Sequence, residues 1–458
     1  MSRIGRVTRA AEVARVGAAV GAGQAATSAR KVFASAERRH ELDRAQELRT
    51  AEQVVASLGN MKGALMKLGQ MASYIDTSMP EPIREALASL QQDAPPMSAE
   101  LSAGVIATEL GGPPDTVFAE WDPVPIAAAS IGQVHRALTR DGRAVAVKVQ
   151  YPGVADAIAA DLANSDMLFG VMGMIFPGLD PGPIVQELRE RLTEELDYSL
   201  EARNQQRFAD YYRGHPFIHV PDVLAELSSP RVLTTELATG ARFSEVTAWA
   251  QDERDLAGEA IFRYVFRSLY RFHVFNGDPH PGNYLFSPGG RVTFLDYGLV
   301  KQFTPDEVRL FEDLAMTIAV RPDPAAYRKL VEDAGILLPG APLTDREVSE
   351  WFGYFYEQVL RDEVTAFDEA YASKMVDTYL NSRAQNPAIA KNANVPASLV
   401  IIQRINLGLV AVLAQLHATG NFRRIAEELW PMTDRPPSTE LGRQEAEWLA
   451  AKAVASRA

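Results

Sequence analysis

Two periodicities and one ordered set of polar residues predict an α+β protein with two lobes, the first small and strand-rich and the second larger and helical. A helical extension is expected before the strand-rich lobe. From about Val124 to Val149 apolar residues alternate, as along half-buried strands, whereas 46–76 and the chain beyond Leu256 repeat them every three or four. The ordered polar set is Lys148 in the alternating stretch, then Asp278, Asn283 and Asp296 after the first long helical stretch of the second lobe.

Over 46–76, Val54, Leu58, Met61, Leu65, Leu68, Ala72 and Ile75 form one apolar stripe, and Lys67 and Gln70 share a face beside it. Pro80 and Pro82 stop that helix, and Pro95, Pro96 and the run Gly111–Pro114 punctuate a short one after it. Val134–Leu138 and Val145–Val149 read as strands joined at Thr139–Arg143, whose Asp141-Gly142 is a hairpin signal. In the second strand Val145, Val147 and Val149 point one way, while Ala146 and Lys148 point the other. A long helix opened by Pro181 and Pro183 is expected to run through Glu194–Glu201, with Asp197 and Glu201 on one face and Glu195 turned away from them. Carboxylates facing two ways suit two basic partners, although a solvated charged face would look the same. Arg231–Leu237 reads as a strand, Leu256–Phe275 as a helix, and the remainder as several more helices.

The 458 residues carry a formal net charge of −13, which disfavours a nucleic-acid binder, because phosphate recognition needs basic surface. There is no cysteine, so neither disulfide nor thiolate chemistry can be assigned. Arg3, Arg6, Arg9 and Arg15 make the first residues basic without a secretory apolar core; this tail either lies on anionic lipid or is simply solvated. Met167–Phe176 is intensely apolar but too short to span a bilayer, and Ala397–Leu416 is interrupted by Arg404. Both are expected to be buried helices, the first also a candidate contact for a lipid.

Val145–Lys148, the D-x-x-x-x-N spacing of Asp278 to Asn283 and the D-Y-G of Asp296–Gly298 are similar to the lysine strand, catalytic loop and metal turn of the protein-kinase fold. On that basis Asn283 and Asp296 are hard-oxygen ligands for Mg²⁺ and Lys148 pairs with the phosphates of ATP. Asp278 stands where a base would take a proton from an attacking hydroxyl or water. Glu236 and Leu237 close the strand at which a kinase offers its backbone to adenine. His280, between two prolines, is expected to hold its loop by hydrogen bonding rather than to react. The glycine-rich phosphate loop of ordinary kinases is missing, and Ala127, Ala128, Ala129 and Ser130 stand in its place.

Together with Lys67-x-Gly69-Gln70, Glu195-x-Asp197 and Asp278-Pro279, this alanine-rich loop resembles the UbiB (AarF/ABC1-type) atypical kinase-like family. The resemblance covers about residues 46 to 300. It implies a protein-kinase-like fold, ATP and Mg²⁺ as cofactors, and slow ATP hydrolysis or phosphoryl transfer to a small molecule or lipid in quinone or isoprenoid metabolism. It further implies that Glu201 orients Lys148, and that Lys67 and Gln70 fold over the site as a lid, with Glu195 as the partner of Lys67 and Asp197 beside it. The implied arrangement is a tail (1–45), the extension (46–120), the strand-rich lobe (121–238), the helical lobe (239–435) and a polar end (436–458). The expected location is cytoplasmic, with peripheral contact at the inner face of a membrane; the partners are ATP and an isoprenoid or quinone-like lipid, and the oligomeric state stays open. Two alternatives stay open as well: a nucleotide-gated scaffold for a lipid-enzyme assembly and a small-molecule antibiotic phosphotransferase.

Overall fold

The computed structural model describes residues 97–129, 131–155, 193, 195–277, 279–380, 387–393 and 397–455. The basic tail, the 46–76 helix with Lys67 and Gln70, Ser130, Met167–Phe176, Pro181, Pro183 and Asp278 lie outside the described residues. The chain divides into two compact units. One runs to Ser199 and includes Glu226–Thr234; the other holds Leu200–Ala225 and everything from Thr235 onward.

The first unit opens with helix α1 (Ala99–Leu110), begun by the Ser98 side chain, which accepts the Leu101 amide, and ended at Gly111 in the left-handed region. Strands β1 (Glu120–Trp121), β2 (Ala127–Ala129), β3 (Gly132–Leu138) and β4 (Ala144–Gln150) follow. β1 and β2 both pair with β3, and β4 lies on its other side. The β3–β4 register sets Gln133 opposite Val149, His135 opposite Val147 and Ala137 opposite Val145. All six are buried, so this face is the core face, and Lys148 stands on the other, as the alternation predicts. The connecting turn places Gly142 at φ 88°, with the Gly142 amide donating to Thr139.

Two polar residues on that core face were not expected there. Gln133 accepts the Met97 amide at 2.9 Å, His135 Nδ1 lies 2.9 Å from the Asp122 carbonyl, and the Gln133 amide nitrogen lies 2.9 Å from His135 Nε2. Burial pushes the imidazole pKa down, so the ring is neutral and, donating from Nδ1, accepts at Nε2. Gln133 and His135 are therefore both partnered despite their burial. Trp121 stacks on the His135 ring at 4.5 Å.

The helix expected to pass through Glu194–Glu201 is interrupted. Leu196 is in a turn, Asp197 is outside any helix, and helix α2 starts at Tyr198 and ends at Tyr211. Asp197 Oδ1 accepts the Ser199 amide at 2.9 Å. The carboxylate satisfies a first-turn amide that has no partner within the helix, which suits a helix start and not a helix interior. Asp197 and Glu201 are thus not one turn apart on a continuous helix.

The second unit continues with β5 (Ile218–His219), the end of β6 (Val232–Glu236) and β7 (Ala241–Arg242), then helix α3 (Gln251–Phe272). Strands β8 (Val274–Asn276), β9 (Tyr284–Ser287), β10 (Arg291–Phe294) and β11 (Val300–Gln302) come next. They form a four-stranded sheet in the order β5-β10-β9-β7 and a small β8–β11 ladder. Beyond them lie helices α4 (Pro305–Ala315), α5 (Pro324–Asp333), α6 (Asp345–Phe352), α7 (Glu369–Leu380), α8 (Ala397–Leu416), α9 (Phe422–Leu429) and α10 (Glu440–Ala455). Among the described residues no helix is long and apolar enough to cross a membrane.

α3 runs through the core of this unit, and its Arg263 side chain is fully buried. Arg263 pairs with Glu259 at 2.7 Å, Glu428 at 2.7 Å and Glu445 at 3.0 Å, while Arg267 pairs with the other oxygen of Glu445. Burial opposes the charge on Glu445, but His215, Arg267 and Arg263 outweigh it and hold the carboxyl pKa down to about 2. His215 Nε2 lies 3.5 Å from Glu445, and burial nevertheless lowers its pKa, so the imidazole is neutral and the contact is not an ion pair.

Both shifts have one consequence. The unfolded chain takes up a proton at His215 near 6.5 and at Glu445 near 4.5, where the folded chain does not, so stability falls as the pH is lowered through those values. Glu445→Gln leaves two buried guanidinium groups short of a counter-charge. It is expected to cost about 3–5 kcal/mol in urea denaturation at neutral pH and to flatten the acid limb. A wild-type midpoint and an unchanged acid limb would show that the network contributes nothing.

Candidate functional site

In the first unit, Ala127, Ala128 and Ala129 form β2 and pair with Val134, Gln133 and Gly132 of β3. Ala127 and Ala128 are exposed and Ala129 is half-buried. Gly132 is required by close approach: a Cβ there would fall 2.3 Å from the Val149 carbonyl oxygen and 2.8 Å from the Tyr198 hydroxyl. Lys148, half-buried, holds its Nζ 5.0 Å from the centroid of the buried Tyr198 ring. That is cation–π distance, so the ring supports the ammonium without neutralising it. The Tyr198 amide donates to the Pro230 carbonyl at 3.0 Å, which fixes the backbone beneath the ring. Glu195 and Asp197 are half-buried in this unit.

In the second unit the geometry centres on Asp296-Tyr297-Gly298. Asp296 Oδ1 accepts the Gly298 amide at 3.0 Å, which orients the carboxylate locally. Backbone positions are set from farther away. Asn276 Nδ2 donates to the Asp296 carbonyl at 2.6 Å and Asn204 Nδ2 to the Tyr297 carbonyl at 3.2 Å. The Tyr297 ring is fully buried, its hydroxyl 3.1 Å from that of Tyr264, and burial raises its phenol pKa well above the usual value. Glu201, buried on α2, approaches the same turn: a Cβ on Gly298 would lie 3.4 Å from Asp296 Oδ1 and 3.9 Å from Glu201 Oε2. Two carboxylates therefore converge on one glycine.

The β9–β10 ladder pairs Tyr284 with Phe294, and the next rung is the Leu295 amide donating to the Asn283 carbonyl at 3.0 Å. Asn283 and Asp296 thus leave the same end of one hairpin, although they are thirteen positions apart in sequence. The Asn283 amide donates to the His280 carbonyl at 2.9 Å, and His280 Nδ1 accepts the Gly282 amide at 3.0 Å. His280 closes its loop by hydrogen bonding, as expected. Pro279 packs so tightly on α8 that a Cβ at Gly408 would fall 2.3 Å from its ring.

Glu236 ends β6 with its amide donating to the Asp222 carbonyl at 2.9 Å and its carboxylate 3.4 Å from His219; Leu237 follows, half-buried. The second unit thus gathers Glu201, Asn283 and Asp296, whereas Lys148, the alanine strand, Glu195 and Asp197 lie in the first. The sequence missed Tyr198, Asn204, Asn276 and Gly132. Asn276 stands two residues before Asp278 and could have been suspected, but Asn204 meets a partner 93 residues away and leaves no local signal.

A carboxylate and an amide side chain leaving one hairpin end are hard-oxygen donors that suit Mg²⁺, which completes its shell with phosphate and water. The donor set therefore fits the implied ion. The model of the ABC1 atypical kinase-like domain matches residues 89–330. The atypical kinase COQ8B, mitochondrial, of Rattus norvegicus is 36% identical over 255 residues, which are 55% of this chain and 48% of that protein. The atypical kinase COQ8, mitochondrial, of Saccharomyces cerevisiae is 30% identical over 283 residues, 61% of this chain and 56% of that one. The chain therefore spans about half the length of these curated relatives. A solved structure described as the complex of Rv3197 with erythromycin from Mycobacterium tuberculosis matches with TM-score 0.62 and 33% identity, covering 86% of this chain and 98% of that one. With the family model spanning more than half of its residues, the chain belongs to the ABC1 atypical kinase-like (UbiB) family.

Proposed function

We propose that this protein binds ATP with Mg²⁺ and is an atypical kinase or ATPase serving quinone or isoprenoid-lipid metabolism. The observation that carries the proposal is the placing of Asn283 and Asp296 at one hairpin end, with the Asp296 carboxylate oriented by the Gly298 amide. Asn283 and Asp296 would hold the ion, which when bound neutralises phosphate charge. Lys148 would hold the phosphates, and Glu201 would keep the lysine in position. Asp278 would take the proton of the acceptor hydroxyl or of water. Ala127–Ser130 would cover the phosphates, and the backbone at Glu236 and Leu237 would receive adenine. Lys67, Gln70, Glu195 and Asp197 would form the lid that keeps peptides out.

The curated relatives named above as atypical kinases, at 30–36% identity, support this reading. Contact with a membrane through Arg3, Arg6, Arg9 and Arg15 is part of the proposal, each basic residue adding roughly 1 kcal/mol near an anionic surface. A second reading has one observation behind it, the erythromycin complex of the mycobacterial relative. Under it the apolar ligand here is a macrolide.

Asp296→Asn removes the only charge in the D-Y-G turn. Mg²⁺-dependent ATP turnover is expected to fall by about a hundredfold or more, measured as phosphate release. Turnover equal to wild type would dismiss the metal assignment. Ala129→Gly deletes a Cβ from the strand that stands where kinases carry glycines, and so frees the backbone to approach phosphate. The ratio of ATP to ADP affinity is expected to change, read by titration calorimetry, and an unchanged ratio would count against a phosphate-covering role. The two ligand readings separate in a thermal-shift titration. A short-chain quinone analogue is expected to raise the melting temperature in the presence of MgATP; a shift with erythromycin alone would favour the macrolide.

A further inference from the structure

We propose that helix α10 is a positioning clamp for the Asp296–Gly298 turn, acting through the two helices that hold Tyr297. The proposal rests on the reading of that turn as the metal turn, but its structural half can be tested separately. Tyr297 is held twice: Asn204 of α2 donates to its carbonyl and Tyr264 of α3 meets its hydroxyl. α10 makes polar contacts with both of those helices or with the residues just beyond them.

At the α2 end, Lys452 Nζ donates to the Tyr211 carbonyl at 2.5 Å and lies 3.4 Å from that of Asp210. Trp448 Nε1 donates to the Arg213 carbonyl at 3.2 Å, and its ring meets that of His215 at 4.5 Å. The last carbonyls of a helix lack intrahelical partners and carry the negative end of its dipole, so a cation there is stabilising. α2 has no basic residue in its own last turn. Lys452 supplies that cation from a helix about 240 residues away in sequence. At the α3 end, Glu445 accepts from both Arg263 and Arg267.

The character of these contacts separates a clamp from a packed structural helix. α10 buries only Leu441, Gly442 and Glu445, and leaves Leu449 and Val454 exposed. A helix held by its core would bury a continuous apolar stripe. Glu445 anchors the first half of α10, but beyond it the helix is attached by polar contacts with little burial, as in the segments that open most readily, so the end carrying Trp448 and Lys452 can be released and redocked. In protein kinases, the position of the helix bearing the orienting glutamate controls activity, and on the present reading α2 is that helix.

The test uses the full chain with Lys452→Glu, Lys452→Arg and Trp448→Ala, and with Lys329→Met as a control at an exposed ion pair elsewhere. Readouts are kcat and KM for MgATP, hydrogen exchange of amides 206–213 and 297–299, and the melting temperature. Lys452→Glu and Trp448→Ala are expected to speed exchange in both segments. They should lower kcat about tenfold, which is about 1.4 kcal/mol of barrier, with KM nearly constant. Lys452→Arg and Lys329→Met should behave as wild type. Wild-type exchange in Lys452→Glu, or a lowered melting temperature with kcat per folded molecule unchanged, overturns the clamp. If wild type shows no Mg²⁺-dependent turnover, the functional reading falls and exchange alone decides: acceleration at 206–213 and 297–299 upholds the clamp, and wild-type exchange there overturns it.

Discussion

Arg263 carries a positive charge where water does not reach it, and the second unit is arranged around that charge. An isolated buried guanidinium would cost several kcal/mol, so its carboxylates must be delivered from elsewhere in the chain. One comes from its own helix at Glu259, and the others come from α9 and α10 through Glu428 and Glu445. Three helices are tied to one point by a requirement that admits few alternatives. α3 then stops at His273 in the left-handed region, and β8 follows at once with Asn276, which holds the Asp296 carbonyl. The placing of the turn is therefore a consequence of a helix whose own position is fixed by charge.

The turn itself separates two tasks. The direction of the Asp296 carboxylate is set two residues away, by the Gly298 amide. The path of its backbone is set by two asparagine side chains from distant segments. A neutral amide donor can hold a carbonyl without adding charge beside a carboxylate, which an arginine or lysine could not do. Burial of the Tyr297 ring under Phe208 and Tyr264 adds an apolar anchor between the two polar ends.

The first unit shows how an alternating pattern survives polar substitution. Gln133 and His135 occupy core-face positions that alternation would give to aliphatic residues, and they are tolerated because each finds partners in the Met97 backbone, the Asp122 carbonyl and each other. Gly132 stands at the opposite extreme, where even a methyl group would collide with the Val149 carbonyl. Lys148 holds its Nζ at cation–π distance from the buried Tyr198 ring.

Local pattern was enough for much of this. The alternation around Val145–Val149 gave the strand and the face of Lys148, because a period of two leaves a strand no other way to bury its valines. Turn chemistry gave the Asp141-Gly142 turn, the spacing of Asp278, Asn283 and Asp296 pointed to the kinase-like fold, and the alanine-rich Ala127–Ser130 loop with the Lys67–Gln70 and Glu195–Asp197 motifs pointed to the family. The sequence misjudged the run before Glu201, where the charge pattern suited a helix but Asp197 was better used at a helix start. Tertiary structure alone decided the rest: that Asn204 and Asn276 hold the turn, that Tyr198 lies beneath Lys148, and that Glu445 and Lys452 reach α3 and α2. These pairings join segments up to about 240 residues apart, and a hydrogen bond or ion pair leaves no periodicity in the sequence of either partner.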